Sequence, residues 1–144
     1  MKKIYLLIIL ASVLLIAGCT QNSEITPVQP NEKANTVSDK EPNTIVITSN
    51  GFSPDELKIK AGDTVTWINN DKNEHWPASA KHPTHTVYPG SDIKKCGTSE
   101  QDKIFDACKG LKEDESWSFT FNEKGTWFYH DHLDVSLFSK IIVQ

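Results

Sequence analysis

The fold is decided by one continuous stretch, Leu57-Lys-Ile-Lys-Ala-Gly-Asp-Thr-Val-Thr-Trp-Ile68. Apolar and polar side chains alternate over 57–60, which is typical of a strand with one buried face. Residues 61–63 have the composition of a turn, and the β-branched run over 64–68 continues as a second strand. The stretch therefore predicts two short strands joined by a turn.

Strand patterns of the same kind lie on both sides of this stretch. A β-branched run fills 44–48, aromatic residues alternate with Ser and Thr over 116–121, and further strand patterns cover 126–129 and 140–143. Short strands at this spacing, separated by turn residues, predict an all-β antiparallel sandwich or barrel.

One segment departs from the strand pattern. Ser99-Glu-Gln-Asp102 resembles a helix start, because a capping residue is followed by early acids. Ile104, Phe105 and Cys108 could form the apolar face of that helix, and Gly110 could end it. We therefore expect one short helix within a loop insertion.

The chain begins with a targeting segment. Two Lys residues precede an almost unbroken apolar run over 4–17, which is shorter than the ~20 residues that a bilayer-spanning helix needs. Leu15-Ile-Ala-Gly-Cys19 resembles the lipobox of bacterial lipoproteins. Residues 1–18 are therefore predicted to be a lipoprotein signal peptide and Cys19 the lipidation site. A plain secretory signal with an incidental Cys is the alternative.

A polar segment follows the predicted signal. Residues 19–43 contain Pro27, Pro30 and Pro42 and show no apolar periodicity, so they are predicted to be a disordered tether. The folded domain then covers 44–144. The predicted location is the cell envelope, with the protein held to a membrane by its N-terminal lipid and facing the periplasm or the cell exterior.

Composition limits the class of function. The 144 residues include 15 Lys, no Arg and 19 acids, and the formal net charge is −4. Tracking nucleic-acid phosphates requires a dense cationic face, so no nucleic-acid partner is expected. The single Met is Met1, so the folded domain cannot supply a thioether to a metal.

Two Cys residues flank the predicted helix. The signal directs the chain to an oxidising compartment, where Cys96 and Cys108 are expected to pair as a disulfide. Closing a loop of this size would stabilise the fold by about 3 kcal/mol. Ligation of a metal by one of the two thiolates is the alternative.

All five His residues fall in two short windows of the predicted domain. The first contains Glu74-His75-Trp76-Pro77 and His82-Pro83-Thr84-His85, and the second is His130-Asp131-His132. Residues two apart on a strand share a face, so the two His of the second window can aim at one point while Asp131 faces away. Imidazole suits copper, zinc, nickel and iron, and three or four such ligands are a common count.

The grouping predicts a metal site, with a His-rich surface or a pH-sensitive patch as the alternative. The predicted ligands are His75, His85, His130 and His132. Additional candidates, as ligands or as residues that orient a ligand, are His82 and Asp131. Within His-Pro-Thr-His, His82 is expected to face the opposite way from His85. Glu74 is a further acid that could orient an imidazole.

Four segments of the domain carry a family resemblance. They are Asn50-Gly-Phe-Ser-Pro54, the stretch 57–67, Glu115-Ser-Trp-Ser-Phe-Thr-Phe121 and Gly125-Thr-Trp-Phe-Tyr129. Together they resemble plastocyanin-like domains of the cupredoxin superfamily over nearly all of 44–144, apart from the Cys96–Cys108 insertion. The resemblance implies a Greek-key β-sandwich with a copper site at one end.

The sequence departs from that family at the copper loop. Plastocyanin-like domains place a Cys six residues after the glycine that precedes the last-loop strand, and Gly125 plus six is Asp131. The family's axial Met, expected near Leu137, is absent, and its second His would fall at Asp134. A blue copper–thiolate site therefore cannot be assembled in its usual form.

The two His windows instead resemble segments of multicopper oxidases. His130-Asp131-His132 is similar to their His-Cys-His segment with Asp in place of Cys, and His82-Pro-Thr-His85 is similar to their His-Pro-x-His segment. This resemblance implies that His85, His130 and His132 match ligands of the oxygen-reducing copper cluster, while His82 and Asp131 match positions of the blue site. His75 follows the Trp67 strand, where plastocyanin-like domains keep their first copper His, but His85 can be aligned to that position as well.

The predicted function is that of a membrane-tethered copper protein with a His-rich, non-blue site. We expect electron transfer or copper handling with a redox or copper-delivery protein partner. A copper-dependent redox enzyme acting on oxygen species or nitrite is one alternative, and a metal-free docking module is the other. We favour a protein that is not an enzyme, because multicopper oxidases need a thiolate centre to feed electrons to their cluster.

Overall fold

The computed structural model describes residues 43–144. The predicted signal peptide over 1–18, the lipidation site at Cys19 and nearly all of the tether over 19–43 lie outside the described residues and stay predictions. Within 43–144 no helix is long and apolar enough to cross a membrane.

Within residues 43–144, eight strands form two four-stranded sheets. In chain order they are β1 Thr44–Thr48, β2 Gly51–Ser53, β3 Glu56–Ile59, β4 Asp63–Asn69, β5 Pro77–Ser79, β6 Ser116–Phe121, β7 Gly125–Asp131 and β8 Phe138–Val143. One sheet has the order β2-β1-β4-β6 and the other β3-β8-β7-β5. The predicted all-β sandwich is confirmed, although β1–β4 and β3–β8 are parallel pairs and only the remaining neighbours are antiparallel.

The core lies between the two sheets and is rich in aromatic rings. Trp67 of β4 is fully buried and meets Tyr129 of β7 edge to face at 5.5 Å between ring centroids. Phe121 and Ile141 are also fully buried, from β6 and β8. Alternation of buried and exposed positions along these strands follows from the two-residue period that the sequence shows.

The segment between β5 and β6 does not contain the predicted helix. It forms only single 3₁₀ turns, at Ile93–Lys95 and Gln101–Lys103. Ile104 then has extended backbone, and the Ser79 amide donates a hydrogen bond to the Phe105 carbonyl at 2.8 Å. Pairing with the edge of β5 therefore replaces the helical hydrogen bonds that the capping pattern predicted.

The predicted disulfide between Cys96 and Cys108 is confirmed. It lies within this segment, joins the residues on either side of the second 3₁₀ turn, and has a Cα–Cα distance of 5.3 Å. Because both sulfur atoms are used in the bond, neither Cys is a thiolate ligand.

Candidate metal centre

The last residues of β7 carry side chains to two opposite faces of their sheet. Tyr129 is buried in the core, and the two-residue period places Asp131 on that same inner face. His130 and the half-exposed Phe128 therefore point outward, away from the sandwich. Four histidines lie on the outer face, and His75 lies beside Asp131 on the inner one.

Four histidines meet on the outer face. Their ligand nitrogen atoms all lie within 4.8 Å of one another, and we call this group the four-His cluster: His82, His85, His130 and His132. One strand end supplies His130 and His132, as the spacing predicts. The loop after β5 supplies the other two, and it covers His130 so that this side chain is only 5% exposed.

A tight turn brings His82 to the same side as His85. The amides of Thr84 and His85 both donate to the Lys81 carbonyl at 2.9 Å, and His85 has a left-handed φ of 57°. The expectation that His82 faces the opposite way from His85 is therefore wrong, because the segment is a turn and strand alternation does not apply. The His82 ring lies 4.9 Å from that of His132 and 5.5 Å from that of His130.

His130 is the least satisfied polar side chain of the cluster. Both its ring nitrogens are buried and have no hydrogen-bond partner among the described residues. Burial and, to a smaller extent, the neighbouring His85, His82 and His132 together lower the pKa of His130 to about 4. Burial, followed by the neighbouring His85 and His82, also lowers the pKa of His132. A buried polar atom without a partner costs free energy, and a metal ion would supply the missing partner.

The donor set fits copper, since imidazole nitrogens suit copper as well as zinc, nickel and iron. Four such donors match a usual coordination number, and in neutral form each offers a lone pair. The cluster itself contains no sulfur, and the only sulfur atoms within 43–144 are those of the disulfide.

His75 does not join the cluster, although the sequence places it among the ligands. Its Nδ1 lies 2.6 Å from Oδ2 of Asp131 and its Nε2 3.1 Å from Oδ2 of Asp71. Burial lowers the pKa of His75, but the hydrogen bonds to Asp131 and Asp71 outweigh that effect and raise it overall. When both ring nitrogens donate to carboxylates, each carries a proton and neither offers a lone pair to a metal.

Asp131 is likewise turned away from the cluster. Its Oδ1 accepts the backbone amides of Trp76 and Leu133 at 2.8 and 3.0 Å, and the side chain is fully buried. It therefore orients His75 and is not among the side chains of the four-His cluster. Glu74, the other acid considered, lies beside Gly110.

One acid that contacts the cluster was not predicted from the sequence. Oδ2 of Asp106 lies 2.5 Å from Nδ1 of His85, and both side chains are fully buried. The sequence does contain an indication of this role. Asp106 interrupts the apolar run Ile104-Phe-Asp-Ala107, and an acid among buried residues needs a hydrogen-bonding partner. Asp106 was not considered as a partner of the histidines because the segment was predicted to be a helix.

Comparison with known proteins agrees with the fold and the metal. A family model described as copper binding proteins, plastocyanin/azurin family, matches residues 29–144. Amicyanin from Paracoccus denitrificans is 30% identical over 95 residues, which is 65% of this chain and 58% of that protein's length.

Solved structures of copper proteins also match the chain. The reduced Cu(I) form of an amicyanin variant at pH 4 matches with a TM-score of 0.56 and 25% identity, over 76% of this chain and 87% of that one. A purple cupredoxin from Nitrosopumilus maritimus shares the fold, with a TM-score of 0.54 and 20% identity over 70% and 98% of the two chains. The chain belongs to the plastocyanin/azurin family of copper binding proteins.

Proposed function

We propose that this protein binds one copper ion in the four-His cluster and uses it for electron transfer at the cell envelope. The observation that carries the proposal is His130, whose two buried ring nitrogens have no partner among the described residues. They lie in a group of four imidazoles whose ligand atoms are within 4.8 Å of one another. Copper bound there would supply one-electron redox chemistry.

The proposed centre differs from a blue copper site in its ligands. The position at which family members place the thiolate is Asp131, and this carboxylate is already held by His75 and two backbone amides. Four nitrogen donors without sulfur favour Cu(I) less than a thiolate and thioether do. The loaded protein should therefore be pale, and its potential should differ from that of blue proteins.

Electron transfer requires ligands that move little between oxidation states. His85 and His130 meet this requirement, because both are buried and His85 is fixed by Asp106. A redox protein is the partner that this role implies.

Copper handling, with a copper-delivery protein as partner, is the second candidate. It is favoured by the exposure of His82, which lies on a loop at the edge of the cluster. A ligand reached from solvent can be exchanged for a ligand of another protein, which is the step that copper transfer requires.

The location at the envelope is proposed on sequence grounds. The lipobox-like segment ending at Cys19 and the polar stretch after it support a lipid anchor and a tether. Replacing Cys19 with Ala should release the protein from the membrane fraction, whereas retention there would contradict a lipid anchor at this residue.

Metal titration tests the proposed centre. The metal-free whole protein in detergent is titrated with Cu(II) and followed by absorption and by EPR spectroscopy. We expect one equivalent to bind with nitrogen hyperfine structure and without an intense thiolate-to-copper band. An intense thiolate band, or the absence of binding, would contradict the proposal.

A parallel titration with Zn(II) separates the metals. Because the affinity of a nitrogen site rises from zinc to copper, Cu(II) should displace Zn(II) from the protein. Retention of zinc in the presence of equimolar copper would contradict the assignment of copper.

A further inference from the structure

The segment enclosed by the disulfide brings a carboxylate to the four-His cluster. Asp106 forms an antiparallel bridge with Ala78 of β5, and Ala78 in turn pairs with His130 of β7. Residues directly opposite each other on neighbouring strands share a face. Asp106 and His130 therefore stand in one row on the outer face, separated by the small side chain of Ala78.

His85 fills the space between these two side chains. Its ring centroid is 5.0 Å from that of His130, and its Nδ1 is 2.5 Å from Oδ2 of Asp106. A carboxylate accepts hydrogen bonds, so Nδ1 of His85 carries the proton. Its Nε2 is then the lone-pair nitrogen, and it lies 3.0 Å from Nδ1 of His132, inside the cluster.

The second carboxylate oxygen of Asp106 holds Trp76, which packs against the cluster. Oδ1 accepts the indole Nε1 proton of Trp76 at 2.6 Å, and the Trp76 ring packs on that of His132 with 4.4 Å between centroids. One carboxylate thus holds one predicted ligand directly and a second through an aromatic side chain.

Asp106 is itself held from three sides. Its Oδ1 also accepts the amide of Cys108 at 2.8 Å, and Cys108 is tied to Cys96 by the disulfide. The Ala107 amide donates to the Pro77 carbonyl at 3.0 Å, which fastens the next residue to β5. The side chain has no freedom to follow His85 if that ring moves.

We propose that Asp106 is the positioning residue of the copper site, and that the Cys96–Cys108 disulfide keeps it in place. It sets the tautomer of His85 so that Nε2 faces the metal, and it holds Trp76 against His132. This inference rests on the proposed function, since it assigns Asp106 a role toward copper in the four-His cluster. A carboxylate behind a ligating imidazole has this effect on metal affinity in general.

The test is Asp106→Asn in the whole protein. An amide offers one acceptor oxygen and one donor NH₂, whereas Asp106 accepts from His85 on one side and from Trp76 and Cys108 on the other. Because the NH₂ group of Asn cannot accept, either His85 or the pair Trp76 and Cys108 loses its acceptor. We expect Cu(II) affinity to fall about 10–100-fold, with an altered EPR spectrum. The matched control is Asp71→Asn, which removes a carboxylate from His75 and should leave copper affinity unchanged.

A second readout uses the metal-free protein. Nitrogen NMR of the imidazole side chains should show His85 as the Nδ1–H tautomer in the wild type and as a tautomer mixture in Asp106→Asn. A merely structural role would not move this signal. If Asp106→Asn does not fold, the Cys96→Ser, Cys108→Ser double variant should show a smaller loss of copper affinity in the same direction.

The outcomes distinguish the inference from the proposed function. Copper binding by the wild type with unchanged affinity and spectrum in Asp106→Asn would overturn the role of Asp106 and leave the four-His site standing. Unchanged affinity in the double Cys variant would overturn the role of the disulfide. Failure of the wild type to bind copper would overturn both proposals together.

Discussion

The outer four-His cluster and an inner group, His75 with its two carboxylates, lie on opposite faces of the same strand end and differ in how carboxylates contact their imidazoles. On the inner face His75 is bonded by carboxylates on both ring nitrogens, and its pKa is raised. On the outer face His130 has no acid in contact, and burial lowers its pKa to about 4. The two carboxylates favour a proton on both ring nitrogens of His75, whereas in the cluster only His85 bonds to a carboxylate, through Nδ1 alone, so each ring can offer one nitrogen to a metal. The same residue type is thus fitted for a structural ion pair in one place and for metal binding in the other.

The largest expected effect separates the two groups by copper binding. Combining His130→Ala with His132→Ala removes two of four ligands and should abolish stoichiometric Cu(II) binding, measured by titration and EPR. The matched control is His75→Gln, which removes an imidazole from the inner face and should bind one equivalent as the wild type does. If the His130→Ala, His132→Ala variant still bound copper and His75→Gln did not, copper would bind at the inner group and not at the cluster.

The second prediction concerns the stability of the inner group. Asp131→Ala leaves His75 and two backbone amides without their buried acceptor. Removing one partner of a buried charged pair costs about 3–5 kcal/mol, so the free energy of unfolding of the metal-free protein should fall by that amount in a urea titration. The exposed acid Asp134 gives the control, since Asp134→Asn changes a solvated side chain that bonds only to Ser136 and should lower stability far less. Equal effects of the two changes would show that the inner pair is not structural.

The third prediction concerns the exposed member of the outer group. His82→Ala leaves three imidazoles, and the Cu(II) dissociation constant should rise about tenfold while the protein still binds one equivalent. The stability of the metal-free protein should hardly change, because surface substitutions are usually within about 0.5 kcal/mol. A copper affinity equal to that of the wild type would remove His82 from the ligand set.

The smallest expected effect is the contribution of His75 to the pH dependence of stability. The folded-state pKa of His75 is raised above its ordinary value of 6.5. Its contribution to stability is therefore fully present below pH 6.5 and is lost as pH rises through the folded pKa. The difference in free energy of unfolding between wild type and His75→Gln should shrink from pH 6 toward alkaline pH, as measured with urea. A difference that grows with pH would contradict the protonated His75.

Most of the fold could be predicted from the sequence because strand signals are local. The alternation over 116–121 and the β-branched run over 44–48 coincide with the bounds of β6 and β1. The helix predicted between Ser99 and Gly110 was wrong because its apolar residues pair with β5, an edge that is distant in sequence. A capping pattern carries no information about such a partner.

The site was predictable only where strand geometry governs it. His130 and His132 share a face because of the two-residue period, and this part of the site follows from their spacing. His82 and His85 converge through a turn whose conformation the sequence pattern does not specify. The carboxylate contacts of His75 could not be predicted, because Asp71 and Asp131 are distant from each other in sequence and meet only in the folded protein.

The central claim is that copper binds on the outer face of the sandwich and not at the inner position of the family's thiolate. The most direct measurement is a crystal structure of the copper-loaded protein with anomalous scattering recorded at the copper absorption edge. The account predicts one anomalous peak among the imidazoles of the four-His cluster, with no sulfur ligand. A peak beside His75 and Asp131, or a copper–sulfur bond, would contradict it.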